Sequence, residues 1–137
     1  MRILALDIGE KRIGIAVSDA LKITAQGVEG RHRSGNQKDL SRLAELIKEY
    51  EVSEIVLGYP KHMNGTLGEK CRIVEEYALM LNEHFPEVRT HFWDERLSTT
   101  EATRVLVASD MRRDKRKTVV DKMAAVIILQ GFLARFH

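Results

Sequence analysis

Arg2-Ile3-Leu4-Ala5-Leu6-Asp7-Ile8-Gly9-Glu10-Lys11-Arg12-Ile13-Gly14-Ile15-Ala16-Val17-Ser18 holds two short apolar runs joined by a charged connection that contains a glycine. Arg2–Asp7 and Ile13–Ser18 have the length and aliphatic content of strands. Ile8–Arg12 has the residues that send a chain back on itself, so the spacing predicts a β-hairpin. A third strand is predicted over Ile23–Gly30, followed by a polar, basic loop over Arg31–Asn36. The chain therefore opens as an antiparallel meander.

The period then changes. Leu40, Leu43, Ala44, Ile47 and Tyr50 recur at three- and four-residue spacing, which predicts an amphipathic helix over Gln37–Tyr50. Glu54–Gly58 reads as a short buried strand and Gly58–Gly68 as a loop. Thr66 and Glu69 form a capping box for a helix whose buried stripe is Cys71, Val74, Ala78, Leu81 and Phe85, and Pro86 ends it. Val88–Trp93 is the next strand. Ser98 and Glu101 cap a helix to about Ala108, and Thr118–Phe136 is a last helix, apolar nearly all round. Three strands, then helix, strand, helix, strand, helix, helix predict an α/β fold: a five-stranded mixed sheet with helices on both faces. No repeat, low-complexity tract or linker divides residues 1–137, so one domain is expected.

With 44% apolar and 31% charged residues, the composition is that of a soluble globular protein and excludes a disordered one. A formal charge of +2 is too even to require a polyanionic partner, so that case rests on where the charges sit. The single cysteine, Cys71, excludes an internal disulfide framework and a cysteine-rich zinc site, and suits a reducing cytosol. It falls on an apolar stripe and reads as core, not nucleophile. The five histidines lack metal-ligand spacing. The longest purely apolar run, Met123–Leu129, is far short of a membrane span. The first strand follows no charged-then-apolar leader, and a cytoplasmic location is expected.

Three positions could carry chemistry. Asp7 ends an otherwise apolar strand, where open α/β sheets place their ligands, although a hairpin aspartate could equally hold turn N–H groups. Asp94 and Glu95 follow another strand, and their spacing does not separate them. Asp121 opens the last apolar helix, where Thr118 and Asp121 also make a capping pair. Gathered at one place, three carboxylates would repel by roughly 4 kcal/mol per pair at about 4 Å and an effective dielectric near ~20. Only a proton or a cation could hold them together. Oxygen-only ligation favours Mg²⁺ or Mn²⁺. Two such ions, about 3.5–4 Å apart, suit attack of water on a phosphodiester.

Basic residues supply the second half. Arg112-Arg113-Asp114-Lys115-Arg116-Lys117 sets five cations against one anion in a predicted loop that leads into Asp121. Alone such a run is as often a solvated face; beside a metal-site carboxylate it is a phosphate-backbone clamp. Lys11, Arg12 and Arg96 could line the same groove. Aromatic residues are too sparse to predict base stacking.

Four segments now carry a resemblance. Leu4-Ala5-Leu6-Asp7-Ile8-Gly9-Glu10-Lys11-Arg12-Ile13-Gly14, Gly58-Tyr59-Pro60-Lys61-His62-Met63-Asn64-Gly65-Thr66, Trp93-Asp94-Glu95-Arg96-Leu97-Ser98-Thr99 and Val120-Asp121-Lys122-Met123-Ala124-Ala125 resemble, in order and over nearly the whole chain, the bacterial YqgF family. The resemblance implies an RNase H-like fold and a metal-dependent nuclease that processes the 5′ end of pre-16S rRNA in ribosome biogenesis. The alternative, from the family's likeness to RuvC, is a Holliday junction resolvase. It also implies an Asp-Glu-Asp metal site, carried over to Asp7, Glu95 and Asp121, which selects Glu95 over Asp94. His62 and Asn64 depart from the Asn and Asp often found at those family positions, which puts substrate contacts there in question. An actin-like ATPase would need two such domains to enclose a nucleotide, and a non-catalytic binder would be expected to lack one of the acids. RNA trimming needs only a monomer, whereas symmetric junction cleavage asks for a two-fold dimer.

Overall fold

A computed structural model of the chain describes residues 1–59, 68–94 and 113–135, with side chains in the final helix described from residue 120. Outside this set lie the predicted Thr66 cap, most of the Gly58–Gly68 loop, the Ser98–Ala108 helix, Glu95, Arg96 and Arg112. The described elements are β1 (Arg2–Ile8), β2 (Arg12–Ser18), β3 (Ala25–His32), α1 (Asn36–Glu49), β4 (Val52–Tyr59), α2 (Gly68–His84), β5 (Arg89–Asp94) and α3 (Arg113–Ala134).

The five strands make one sheet in the order β3-β2-β1-β4-β5. β1–β2 and β2–β3 pair antiparallel; β1–β4 and β4–β5 pair parallel. This is the mixed sheet with an opening meander that the sequence predicts. Strand alternation divides the core in two. Leu4, Leu6, Ile8, Ile15 and Leu57 pack with Leu40, Leu43 and Leu46 of α1 and Val74, Tyr77, Ala78 and Leu81 of α2. Ile3, Ala5, Ala16 and Val56 turn to the opposite face, against Ala125, Ile128, Leu129, Phe132 and Leu133 of α3. Helices thus cover both faces, and the middle strand β1 is buried on both.

Several boundaries differ from expectation. β3 starts at Ala25, not Ile23, because Asp19 Oδ1 accepts hydrogen bonds from the Ile23 and Thr24 N–H groups and keeps both in the turn. The buried face of α1 includes Leu46, while Ala44 is exposed. Tyr77 joins the buried stripe of α2, and Cys71, expected in the core, is half-buried. The largest correction concerns the basic run: Arg113–Lys117 is not loop but the beginning of α3. Arg and Lys are good helix formers, no Gly or Pro interrupts them, and Asp114 sits in the first turn, where a negative charge favours the helix.

Candidate active site

β1, β4 and β5 are parallel, so their carboxyl ends share one edge of the sheet. Asp7 lies there, one residue before the end of β1, and is only 8% exposed. It pairs across the hairpin with Gly14 of β2. Being an odd-numbered position of β1, like Ile3 and Ala5, Asp7 belongs to the face covered by α3.

Gly14 explains how α3 brings its own carboxylate there. A Cβ built on Gly14 would stand 1.9 Å from the Asp121 carbonyl oxygen and 2.7 Å from its carbonyl carbon. Only glycine leaves room for the helix backbone to lie on β2 at that point. Gly14 thus seats α3. Further along α3 a Cβ on Gly131 would meet Trp93 Nε1 at 2.7 Å, so a second glycine lets the helix accept the end of β5.

The hairpin tip is tied down separately. The Gly9 N–H donates to the Arg12 carbonyl at 2.9 Å, and the Arg33 N–H donates to the Lys11 carbonyl at 2.8 Å. Arg33 Nη1 donates to the Gly9 carbonyl at 3.0 Å while its guanidinium lies over the Tyr77 ring, 5.3 Å from the centroid. The turn that follows Asp7 is thereby braced against α2.

Asp7, Ile8, Gly9, Arg12, Lys70, Val120 and Asp121 line a small cleft of about 160 Å³. Two of the three predicted acids are thus brought together from opposite ends of the chain. Arg12 Nε donates to Asp121 Oδ2 at 2.5 Å, with the two side chains 29% and 18% exposed. With Lys70, the described residues of the lining include two carboxylates and two cations. Lys11 is exposed and is not part of this lining. Lys70 was not singled out in the sequence. Its one signal is position: it stands in the first turn of the helix that follows β4, and βα units start their helices at the carboxyl edge.

β5 ends at Asp94, paired with Tyr59. His91 and Trp93 contact Phe132 of α3, at ring-centroid distances of 5.2 and 6.1 Å. Phe92, between them, stacks edge-on to Tyr59, which packs with the α1–α2 core, and Asp94 shares its parity. Asp94 therefore belongs to the face away from Asp7. The Tyr59 hydroxyl donates to Glu75; that bond, burial and the neighbouring Cys71 hold the phenol well above its usual range.

The family model for RuvX, described as Holliday junction resolvase, matches residues 1–135. A curated relative from Desulfitobacterium hafniense named "Putative pre-16S rRNA nuclease" is 56% identical over 133 residues, covering 97% of this chain and 92% of its own. Another of the same name, from Bacillus licheniformis, is 51% identical over 135 residues, covering 97% and 96%. Among solved structures, T. thermophilus RuvC in complex with Holliday junction substrate superposes with a TM-score of 0.58 at 15% identity, covering 99% of this chain and 96% of that one. The fold is RNase H-like.

Proposed function

The chain belongs to the RuvX (YqgF) family, and from that premise we propose that it is a divalent-metal-dependent nuclease that trims the 5′ end of pre-16S rRNA in the cytoplasm. The observation that carries this reading is the shared cleft: Asp7 from β1 and Asp121 from α3 line it together, with Arg12 and Lys70 beside them. Metal-assisted hydrolysis of a phosphodiester uses a site that gathers anionic oxygens for the ion and keeps cations near for phosphate. The names of the relatives from Desulfitobacterium hafniense and Bacillus licheniformis supply the substrate.

The donor set fits a hard divalent ion. Both described acids offer only oxygen, and Asp7 is held by a buried strand while Asp121 rides on a helix seated by Gly14. Glu95 is the third ligand of this reading. What supports Glu95 is its place in the Trp93–Thr99 segment that resembles the family's motif. Mg²⁺ or Mn²⁺, bound as one or two ions, would activate water and stabilise the leaving oxygen. The chain's own part is to orient the carboxylates, neutralise phosphate with Arg12 and Lys70, and guide the backbone along Lys11, Arg96, Arg112, Arg113, Lys115, Arg116 and Lys117.

The test offers purified protein with Mn²⁺ a pre-16S rRNA fragment and a four-way DNA junction. We expect cleavage of the rRNA fragment, by a monomer, and its loss in Asp7→Asn, Glu95→Gln and Asp121→Asn with unchanged circular dichroism. Near-wild-type turnover in any of the three removes that acid from the site. Cleavage of the junction alone, by a dimer, selects the resolvase reading that the family's description names.

A further inference from the structure

The short bond between Arg12 and Asp121 raises a question of occupancy. Asp121 Oδ2 accepts from Arg12 Nε at 2.5 Å, and both groups line the cleft that holds Asp7. A guanidinium on that oxygen and a divalent cation shared with Asp7 compete for the same negative charge. The backbone around them is fastened on both sides. The Arg12 backbone is paired with His32 of β3 and accepts from the Gly9 N–H, and the Asp121 backbone rests on Gly14. Arg12 has a long, half-buried side chain that can leave without any backbone change.

On the metal-site reading of the cleft, we propose that Arg12 is the resident counter-ion of Asp121: it neutralises the carboxylate in the metal-free protein and is displaced from it when a divalent cation binds. Arg12 then acts as a positioning residue whose effect on the metal runs through Asp121. The displaced guanidinium becomes available to the phosphate that the metal also attracts, so metal and nucleic acid favour each other through one side chain, reciprocally.

Two measurements on the full chain, without nucleic acid, test this. The first is Mn²⁺ affinity, read from the free-ion electron paramagnetic resonance signal. We expect Arg12→Gln to bind Mn²⁺ about three- to tenfold tighter than wild type, Arg12→Lys to stay near wild type, and the gain to vanish when Arg12→Gln is combined with Asp121→Asn. The second follows the Arg12 Nε–H resonance during Mg²⁺ addition, and it should shift with the midpoint of metal binding. Unchanged or weaker Mn²⁺ binding in Arg12→Gln, or a resonance that does not move, overturns the displacement. Asp7→Asn separates the two levels: if it leaves Mn²⁺ affinity intact, the metal site itself is misplaced, whereas weakened binding there with no gain in Arg12→Gln overturns only the counter-ion role.

Discussion

The backbone of Asp121 rests directly on Gly14, with no space between them for even one methyl group. That contact sets the distance between α3 and β2, and so the position of one cleft carboxylate relative to the other. Gly14→Ala must push the helix outward, and the atoms in the way are backbone, which cannot rotate aside. We expect a loss of at least about 1–3 kcal/mol in urea denaturation and loss of cleavage beyond what the stability change accounts for. Full stability in Gly14→Ala would mean that α3 slides without cost.

Tyr77 carries a buried hydroxyl with no hydrogen-bond partner among the described residues. Burial first, and the nearby Asp39 carboxylate second, push its phenol up to about 12. Removing an unpartnered buried hydroxyl costs nothing, so Tyr77→Phe should be neutral or stabilising by up to ~1 kcal/mol in urea denaturation. A loss larger than about 1 kcal/mol would show that an ordered water serves the group.

Glu54 gives the acid limb of stability a specific origin. Burial alone would raise its pKa, but hydrogen bonds from His91 at 2.9 Å and Lys22 at 3.4 Å outweigh it and hold the carboxyl below its ordinary 4.5. A depressed carboxylate stabilises the fold above its unfolded pKa, and that stabilisation disappears as pH falls through the lower folded value. Urea denaturation from about pH 7 down to about pH 3 should therefore show wild type losing its advantage over Glu54→Gln as the solution is acidified. A constant difference across that range would contradict the assignment.

Positions 113, 116 and 117 lie at helical spacing in α3, four to eight residues before Asp121. If they track a phosphate backbone, changing Arg113 and Arg116 together to Ala should flatten the log–log salt dependence of nucleic-acid binding by about one to two units. Affinity should fall alike for all sequences, with Mn²⁺ affinity unaltered. An unchanged slope assigns the run to a solvated helix face.

That Asp7 and Asp121 line one cleft was legible only in part: each borders an apolar run, but a hairpin role for Asp7 and a capping role for Asp121 explained their positions equally well. The meander was legible from two aliphatic runs around a charged turn. Lys70 was not, because its nearness to Asp7 depends on β4 lying beside β1 in the sheet and on where α2 begins. Gly14 could be read only locally; the helix that requires it is more than a hundred residues further on. The basic run reads as loop in the sequence because its charge masks residues that individually favour helix. Leu46 replaced Ala44 in the core of α1 because the larger side chain gains more by burial.

The Arg12–Asp121 bond joins residues 109 positions apart. The β1–β2–β3 meander forms from neighbours in the chain, but the cleft waits for the helix that is made after every strand. Local pairings form early and distant ones late, and a chain emerging from the ribosome meets its partners in order of synthesis. A half-made molecule therefore carries Asp7 without Asp121. If Asp7 and Asp121 act together as proposed, a chain whose α3 has not yet docked lacks one of the two carboxylates that line the cleft, and cutting would wait on that docking.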